Sequence, residues 1–391
     1  MTSLNAIKIP DREPINLAPG GINIGIVSPC YGLEKVSYAL KPDNYNFYKL
    51  RTVPWEGISS RHNFYENNRI LLPTRTDLIH TFNKVPMNGP PFIVSFELEF
   101  PRHFGPVKNW QTELTRKALR SDRCTALLGL SDSAAKLAIQ GFEAAGEYEI
   151  AKKIRVFRGG ISSSTIIDTP PKPPVSNRPL QLLFVGNDYL RKGLLACILA
   201  VENLQEKGAD IELSVISSLD KHTYCGEESE ESKKIMQRAQ SNPWIKLLGA
   251  QPNATVKEFM KGTDMLLFPT LDESLGWVPI EAGMEGTASV CTNIFAIPES
   301  IEHEQSGLLL NVPLNSNTNR WEGINRPDMN SLFMPMQYNL AEQLSNSLEK
   351  LLNEPDYCQK LGKAAKLRME ERYSTKFASE KLSSIYESCL A

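Results

Sequence analysis

Glu273 and Glu281, separated by seven residues, frame the stretch Leu271-Asp-Glu-Ser-Leu-Gly-Trp-Val-Pro-Ile-Glu-Ala-Gly283. The stretch follows a short apolar run, Met265-Leu-Leu-Phe268, closed by Pro269. Such a run between breakers predicts a buried strand. Gly276 and then Pro279 predict the start of a helix, because proline is tolerated in a first turn. The predicted order is strand, acidic loop, helix, with Glu281 in the first helical turn. Backbone N–H groups at Leu275, Gly276 and Trp277 would then point out of a helix N-terminus, which is an anion site. An anion with nearby hydroxyls held by a carboxylate is the chemistry of a nucleotide sugar. An acid at a helix start also gains roughly 0.3–1 kcal/mol from the macrodipole, whatever its function.

A second segment has complementary chemistry. Gly186-Asn-Asp-Tyr-Leu-Arg-Lys-Gly193 is a turn with two cations, and it follows a predicted strand and precedes a predicted helix. Lysine neutralises a phosphate as a point charge, and arginine can bind one bidentately. Arg191 and Lys192 thus suit a diphosphate. Taken alone, two cations before a helix are more often a solvated turn.

The elements that must position these segments read as alternating strands and helices. In the first half, Ile22–Val27, Asp77–His80, Phe92–Phe96, Ala126–Leu130 and Ile154–Phe157 are predicted strands. Ser131-Asp-Ser133 is an N-cap cluster before an apolar helical run. Residues 168–179 hold five prolines and can hardly continue a helix or a central strand. They are read as the interdomain linker. A second alternation follows, with strands at Leu180–Val185, Ile211–Ile216, Ile245–Leu248, Met265–Phe268 and Ser289–Cys291 and a helix from Gly193 to Gln205. Residues 313–335 read as a polar, turn-rich surface insertion, and from Leu340 the chain reads as helical. Strands alternating with helices imply parallel sheets, whose ligands sit at the C-terminal ends of the strands. The expected division is an N-terminal acceptor-binding domain, 1–170, a C-terminal donor-binding domain, 171–375, and a terminal helix, 376–391, packing back on the first domain.

Composition limits the partners. The 391 residues suffice for two domains with separate cores. A formal net charge of −2 gives no electrostatic reason to expect nucleic acid. Seven cysteines without C-x-x-C pairs fit a reducing compartment and form no metal-like cluster. The first ten residues lack a signal-peptide core, and no apolar stretch approaches the roughly 18–20 residues of a membrane span. The expectation is a soluble cytoplasmic protein, with peripheral membrane contact left open.

The E-x7-E spacing and its surroundings resemble the donor-site signature of retaining glycosyltransferases of family 4, which have the GT-B fold. The turn at Gly186–Gly193 is similar to that family's G-R-x-x-x-x-K-G loop, with Lys192 at the phosphate-binding lysine and Asn187 where the family has arginine. Ile297-Pro-Glu-Ser-Ile-Glu-His-Glu-Gln-Ser-Gly-Leu-Leu309 resembles a downstream family segment, and Phe157-Arg-Gly-Gly-Ile161 a turn at the cleft. The resemblance is good over about 180–391 and patchy over 20–165. It implies an α/β GT-B fold: two Rossmann-like, doubly wound domains facing a central cleft. It implies a nucleotide sugar of the UDP or GDP type as donor, a saccharide or lipid-linked acceptor, and no cofactor or metal. On this resemblance Glu281 would hold the donor ribose, Glu273 the transferred sugar, and Gly186, Arg191, Lys192, Leu275, Gly276 and Trp277 the diphosphate.

In the first half the resemblance places a histidine after the strand ending at Phe96. This chain has Glu97 there, with Glu99 two residues on, expected on one side of an extended segment. Glu97 is the candidate catalytic carboxylate beside Glu273 and Lys192. His80, Glu99, Arg102 and His103 are candidates for the acceptor side, with His80 equally readable as a core histidine. Three other functions share part of this pattern. A glycoside hydrolase would use two carboxylates but leaves the Arg-Lys loop unexplained. A catalytically inactive nucleotide-sugar-binding protein and a nucleotide-sugar epimerase share the architecture.

Overall fold

The computed structural model describes residues 20–27, 30–53, 68–73, 75–102, 108–162, 178–221, 225–354 and 356–391. The chain divides into two compact units, one of residues 5–162 with 372–391, the other essentially 163–371. The proline-rich stretch read as a linker falls almost wholly outside the described residues.

In the first unit the strands are β1 (Ile22–Val27), β2 (Tyr45–Leu50), β3 (Asn68–Arg69), β4 (Leu78–Phe82), β5 (Val85–Pro86), β6 (Phe92–Phe96), β7 (Cys124–Gly129) and β8 (Ile154–Val156). Six form one parallel sheet in the order β2-β1-β4-β6-β7-β8. Every residue of β6 is buried, as expected of a central parallel strand covered on both faces. The helix Asp132–Ala144 starts where the sequence placed it, with the Ser131 hydroxyl accepting the Ala134 N–H at 2.9 Å. The helix Thr375–Leu390 belongs to this unit.

His80 shows how that helix is held. The imidazole is 0% exposed. Its Nδ1 lies 2.8 Å from the Tyr386 hydroxyl and its Nε2 2.8 Å from the Ser95 hydroxyl. The Tyr386 ring meets Tyr45 edge-on at 5.0 Å, and the Tyr45 hydroxyl donates to the Ser383 carbonyl. His80 is therefore a core histidine with both nitrogens satisfied, and the expectation that it meets an acceptor is corrected. Burial pushes its pKa down to about 3 from the ordinary 6.5.

This has a stability consequence. Below pH ~6.5 the unfolded imidazole takes a proton that the folded one refuses until about 3. Stability is thus lost as pH falls through that window, by up to about 1.4 kcal/mol per pH unit. We expect urea midpoints of the first unit to fall more steeply between pH 6.5 and 4.5 in the wild type than in His80→Gln. Parallel curves would assign the acid sensitivity to other groups.

The second unit carries β9 (Leu180–Val185), β10 (Ile211–Ile216), β11 (Ile245–Leu247), β12 (Met265–Phe268), β13 (Ser289–Thr292) and β14 (Gly307–Leu310). All pair in parallel, in the order β11-β10-β9-β12-β13-β14. The order reverses between β9 and β12, so the loops leaving these strands flank the topological switch point, where open α/β sheets bind ligands. Leu267 pairs with Phe184, so both strands end level, and Gly186 and Pro269 begin adjacent loops.

The helix Leu194–Glu206 is buried along nearly its whole length against Met329–Asn353. The latter begins at Met329, inside the stretch read as surface insertion, and carries Pro335 within it. Phe333, Met334 and Met336 are buried, so packing outweighs the helix-breaking tendency of Pro335.

Candidate functional site

Two loops meet at the switch point because glycine allows it. Gly193, at φ +79°, caps the helix Leu194–Glu206. A Cβ there would stand 2.2 Å from the Pro269 carbonyl oxygen. Gly186 has a similar role, since a Cβ on it would lie 2.9 Å from Cγ of Lys192. The loops are then stitched together. Leu271 N–H donates to the Arg191 carbonyl at 2.8 Å, and the Thr270 hydroxyl reaches the same oxygen.

Lys192 runs over Gly186 to an ion pair with Glu273, its ammonium 4.6 Å from the centre of the Phe268 ring. The two side chains are 12% and 14% exposed. Burial lowers the Lys192 pKa against the opposing pull of Glu273. Burial alone would raise the Glu273 carboxyl, but the Lys192 and Arg191 cations outweigh it and hold the group below its ordinary range. Glu273 also accepts the Ser274 N–H at 3.2 Å.

Arg191 already has partners within the two loops. Its Nε donates to Asp188 at 3.0 Å and its Nη1 to the Asp272 carbonyl at 2.6 Å. It braces one loop against the other. Asp272 receives Arg320 through two bonds of 2.8 and 2.7 Å. Asp188, Asp272 and Arg320 were missed in the sequence. Asn187 ties its loop to the end of β10, its carbonyl accepting the Asp220 N–H at 2.8 Å.

Leu275 is buried, and Gly276 at φ +84° caps the helix Trp277–Met284. Ile280 N–H bonds back to the Gly276 carbonyl, so the helix starts where the sequence placed it, with its first-turn amides at the switch-point loop. Glu281 is buried at 5% exposure and lies in the second turn. The first-turn placement is thus corrected, and with it the macrodipole term, which fades beyond that turn.

In the first unit, Glu97 follows β6, is half-buried, and pairs with Arg102 at 3.2 Å. Glu99 is exposed. The chain bends after Phe96, so the expected extended segment with both carboxylates on one side is not formed. His103 lies outside the described residues. Among the described residues no cluster of histidine, cysteine, aspartate and glutamate could hold a metal ion. No described helix is long and apolar enough to cross a membrane.

Residues 166–320 match the family described as glycosyl transferases group 1. That span includes both loops and lies within the second of two Rossmann-like units of parallel strands. It is 24% identical over 246 residues to the alpha-maltose-1-phosphate synthase of Mycolicibacterium smegmatis, covering 60% of this chain and 56% of that protein. To the amylovoran biosynthesis glycosyltransferase AmsK of Erwinia amylovora it is 28% identical over 41% of this chain and 38% of the relative. The chain thus spans little more than half the length of the first of these relatives and less of the second. Among solved structures, Anabaena HepE in complex with UDP-glucose superposes with a TM-score of 0.60 at 12% identity, covering 94% of this chain and all of that one. Sucrose-phosphate synthase from Thermosynechococcus elongatus gives 0.56 at 12% identity, over 94% and 98%. At such identities the likeness is one of fold.

Proposed function

We propose that this protein transfers a glycosyl group from a nucleotide sugar, held by the second unit, to a hydroxyl of a saccharide or lipid-linked acceptor handled by the first. The observation that carries this reading is the meeting of Lys192, Glu273 and the Gly276 helix start at the β9/β12 switch point, inside the domain that matches the family. Lys192 and the helix amides stabilise charge growing on the leaving diphosphate. Glu281 accepts the ribose hydroxyls. Donor binding exchanges partners: the diphosphate takes the Lys192 ammonium, and Glu273 turns to the hydroxyls of the transferred sugar.

Retention at the anomeric carbon follows the family resemblance, by front-face attack through an oxocarbenium-like state. A UDP-type donor is the first to test, because the structural neighbour HepE is described with UDP-glucose. GDP-type donors come second. No metal or cofactor is assigned a role, and the reaction is placed in the cytoplasm, with the membrane surface as a source of lipid-linked acceptors.

A panel of UDP- and GDP-sugars in thermal shift and nucleotide-release assays tests this. A true donor at 100 times its Kd stabilises by about 2.7 kcal/mol. Release of nucleoside diphosphate supports transfer, and an altered sugar indicates an epimerase. Binding without turnover indicates an inactive module, and no binding removes the reading.

Glu97 is the group we assign to the acceptor hydroxyl, as an anion compensated by Arg102 and unsuited to lie against a diphosphate. Glu97→Gln is expected to slow transfer about 100-fold, within the usual range for general-base catalysis. Nucleoside diphosphate affinity should stay within about twofold. Wild-type rates would make Glu97 a strand-end carboxylate, and lost nucleotide binding would move it to the donor.

A further inference from the structure

Residues 314–321 form a hairpin in the stretch that reads as a surface insertion. Leu314 and Trp321 bridge antiparallel, and the Asn315 N–H donates to the Arg320 carbonyl at 2.8 Å. The Asn315 side chain accepts the N–H groups of Asn317 and Thr318. Trp321 is 3% exposed, so the hairpin is seated in the second unit.

Its contacts run to loops at the C-terminal edge of the sheet. The Asn319 carbonyl accepts the Phe295 N–H at 2.7 Å, just beyond β13. Phe295 and Asn319 both have positive φ, +41° and +53°, a conformation that a bulky aromatic keeps only where its surroundings hold it. Arg320 grips both carboxylate oxygens of Asp272 beyond β12, with side chains 12% and 8% exposed. Through the Asp272 carbonyl the chain of contacts continues to Arg191 and Asp188 beyond β9.

We propose that Arg320 is a positioning residue for the donor site, and that the 314–321 hairpin clamps the loops that carry Lys192 and Glu273. The proposal rests on the donor-site reading. Charge supplies the reason. Asp272 is adjacent to Glu273 and inside the loop that receives the diphosphate. Paired with Arg320 it adds no net charge, and its main chain holds Arg191 in place. Without Arg320, a buried anion stands beside the phosphate position and is free to pull Arg191 toward itself. The guanidinium fork suits this task because it fixes the carboxylate plane as well as its charge, which an ammonium cannot do.

The test is isothermal titration of the full chain with UDP and with GDP, with thermal unfolding of each variant alongside. Arg320→Gln should weaken nucleotide binding at least tenfold. Arg320→Lys should lie between, three- to tenfold weaker. The double variant Arg320→Gln/Asp272→Asn removes both charges and should recover affinity to within about threefold of wild type. A merely structural role would lower the unfolding temperature without that recovery. Arg320→Gln binding within twofold of wild type overturns the proposal, as does a double variant as weak as the single. If Arg320→Gln fails to fold, Arg320→Lys decides, and wild-type affinity in it overturns the proposal. A wild-type protein that binds neither nucleotide removes the donor-site reading itself, and the clamp with it.

Discussion

Lys192→Ala is expected to damage stability and turnover together. The ammonium is the partner of Glu273 in a buried pair. Its removal leaves a carboxylate whose burial opposes ionisation, with Arg191 as the remaining cation that favours it. Breaking such a pair from one side costs about 3–5 kcal/mol, unless Glu273 takes up a proton, in which case its pKa rises above the ordinary carboxylate range. Turnover should fall about 10²–10³-fold, the usual effect of removing one stabilising group from a developing oxyanion. The two losses separate in Lys192→Ala/Glu273→Gln, where the buried charge is gone. That variant should regain most of the stability, read as a urea midpoint, while nucleotide release stays low. A rate within threefold of wild type in Lys192→Ala would remove the lysine from the diphosphate site.

Glu281→Ala should weaken donor binding or turnover by roughly 100-fold, the loss of charged hydrogen bonds worth about 1.5–3 kcal/mol. The carboxylate is buried one turn into the helix Trp277–Met284, so little helix-dipole stabilisation goes with it. Glu281→Gln, which keeps the shape, separates charge from volume: it should retain the fold and still lose most of the donor affinity. Titration with nucleotide and initial rates with the donor decide the matter. Unchanged affinity and rate would leave Glu281 a buried helix residue with no part in the site.

The central strands were legible because their signal is local. Leu182-Leu-Phe184, Met265–Phe268 and Phe92–Phe96 are apolar runs between breakers, and each is buried. The two loops at the switch point were legible for the same reason, since glycines and charges directly follow those runs. What pairs with what across the fold was not. Arg191 read only as a cation for phosphate, because a cation beside Lys192 carries no mark of its bonds to Asp188 and the Asp272 carbonyl. Arg320 sits 48 residues from Asp272 in a polar, turn-rich stretch, where composition says surface and only the folded chain reveals a buried fork. The helix from Met329 was hidden by Pro335. His80 was ambiguous for want of Tyr386, 306 residues away.

That last separation bears on how the molecule is made. The first unit takes its strands and most of its helices from residues up to 162, but its closing helix, with Tyr386, from 372 onward. A ribosome must therefore finish the whole second unit before the first can be completed. At about 5–20 residues per second, the nascent first sheet waits roughly 10–40 s for that helix. Throughout that interval His80 lacks its tyrosine, and Tyr45 lacks the ring that packs on it. The half synthesised first is the half that finishes last.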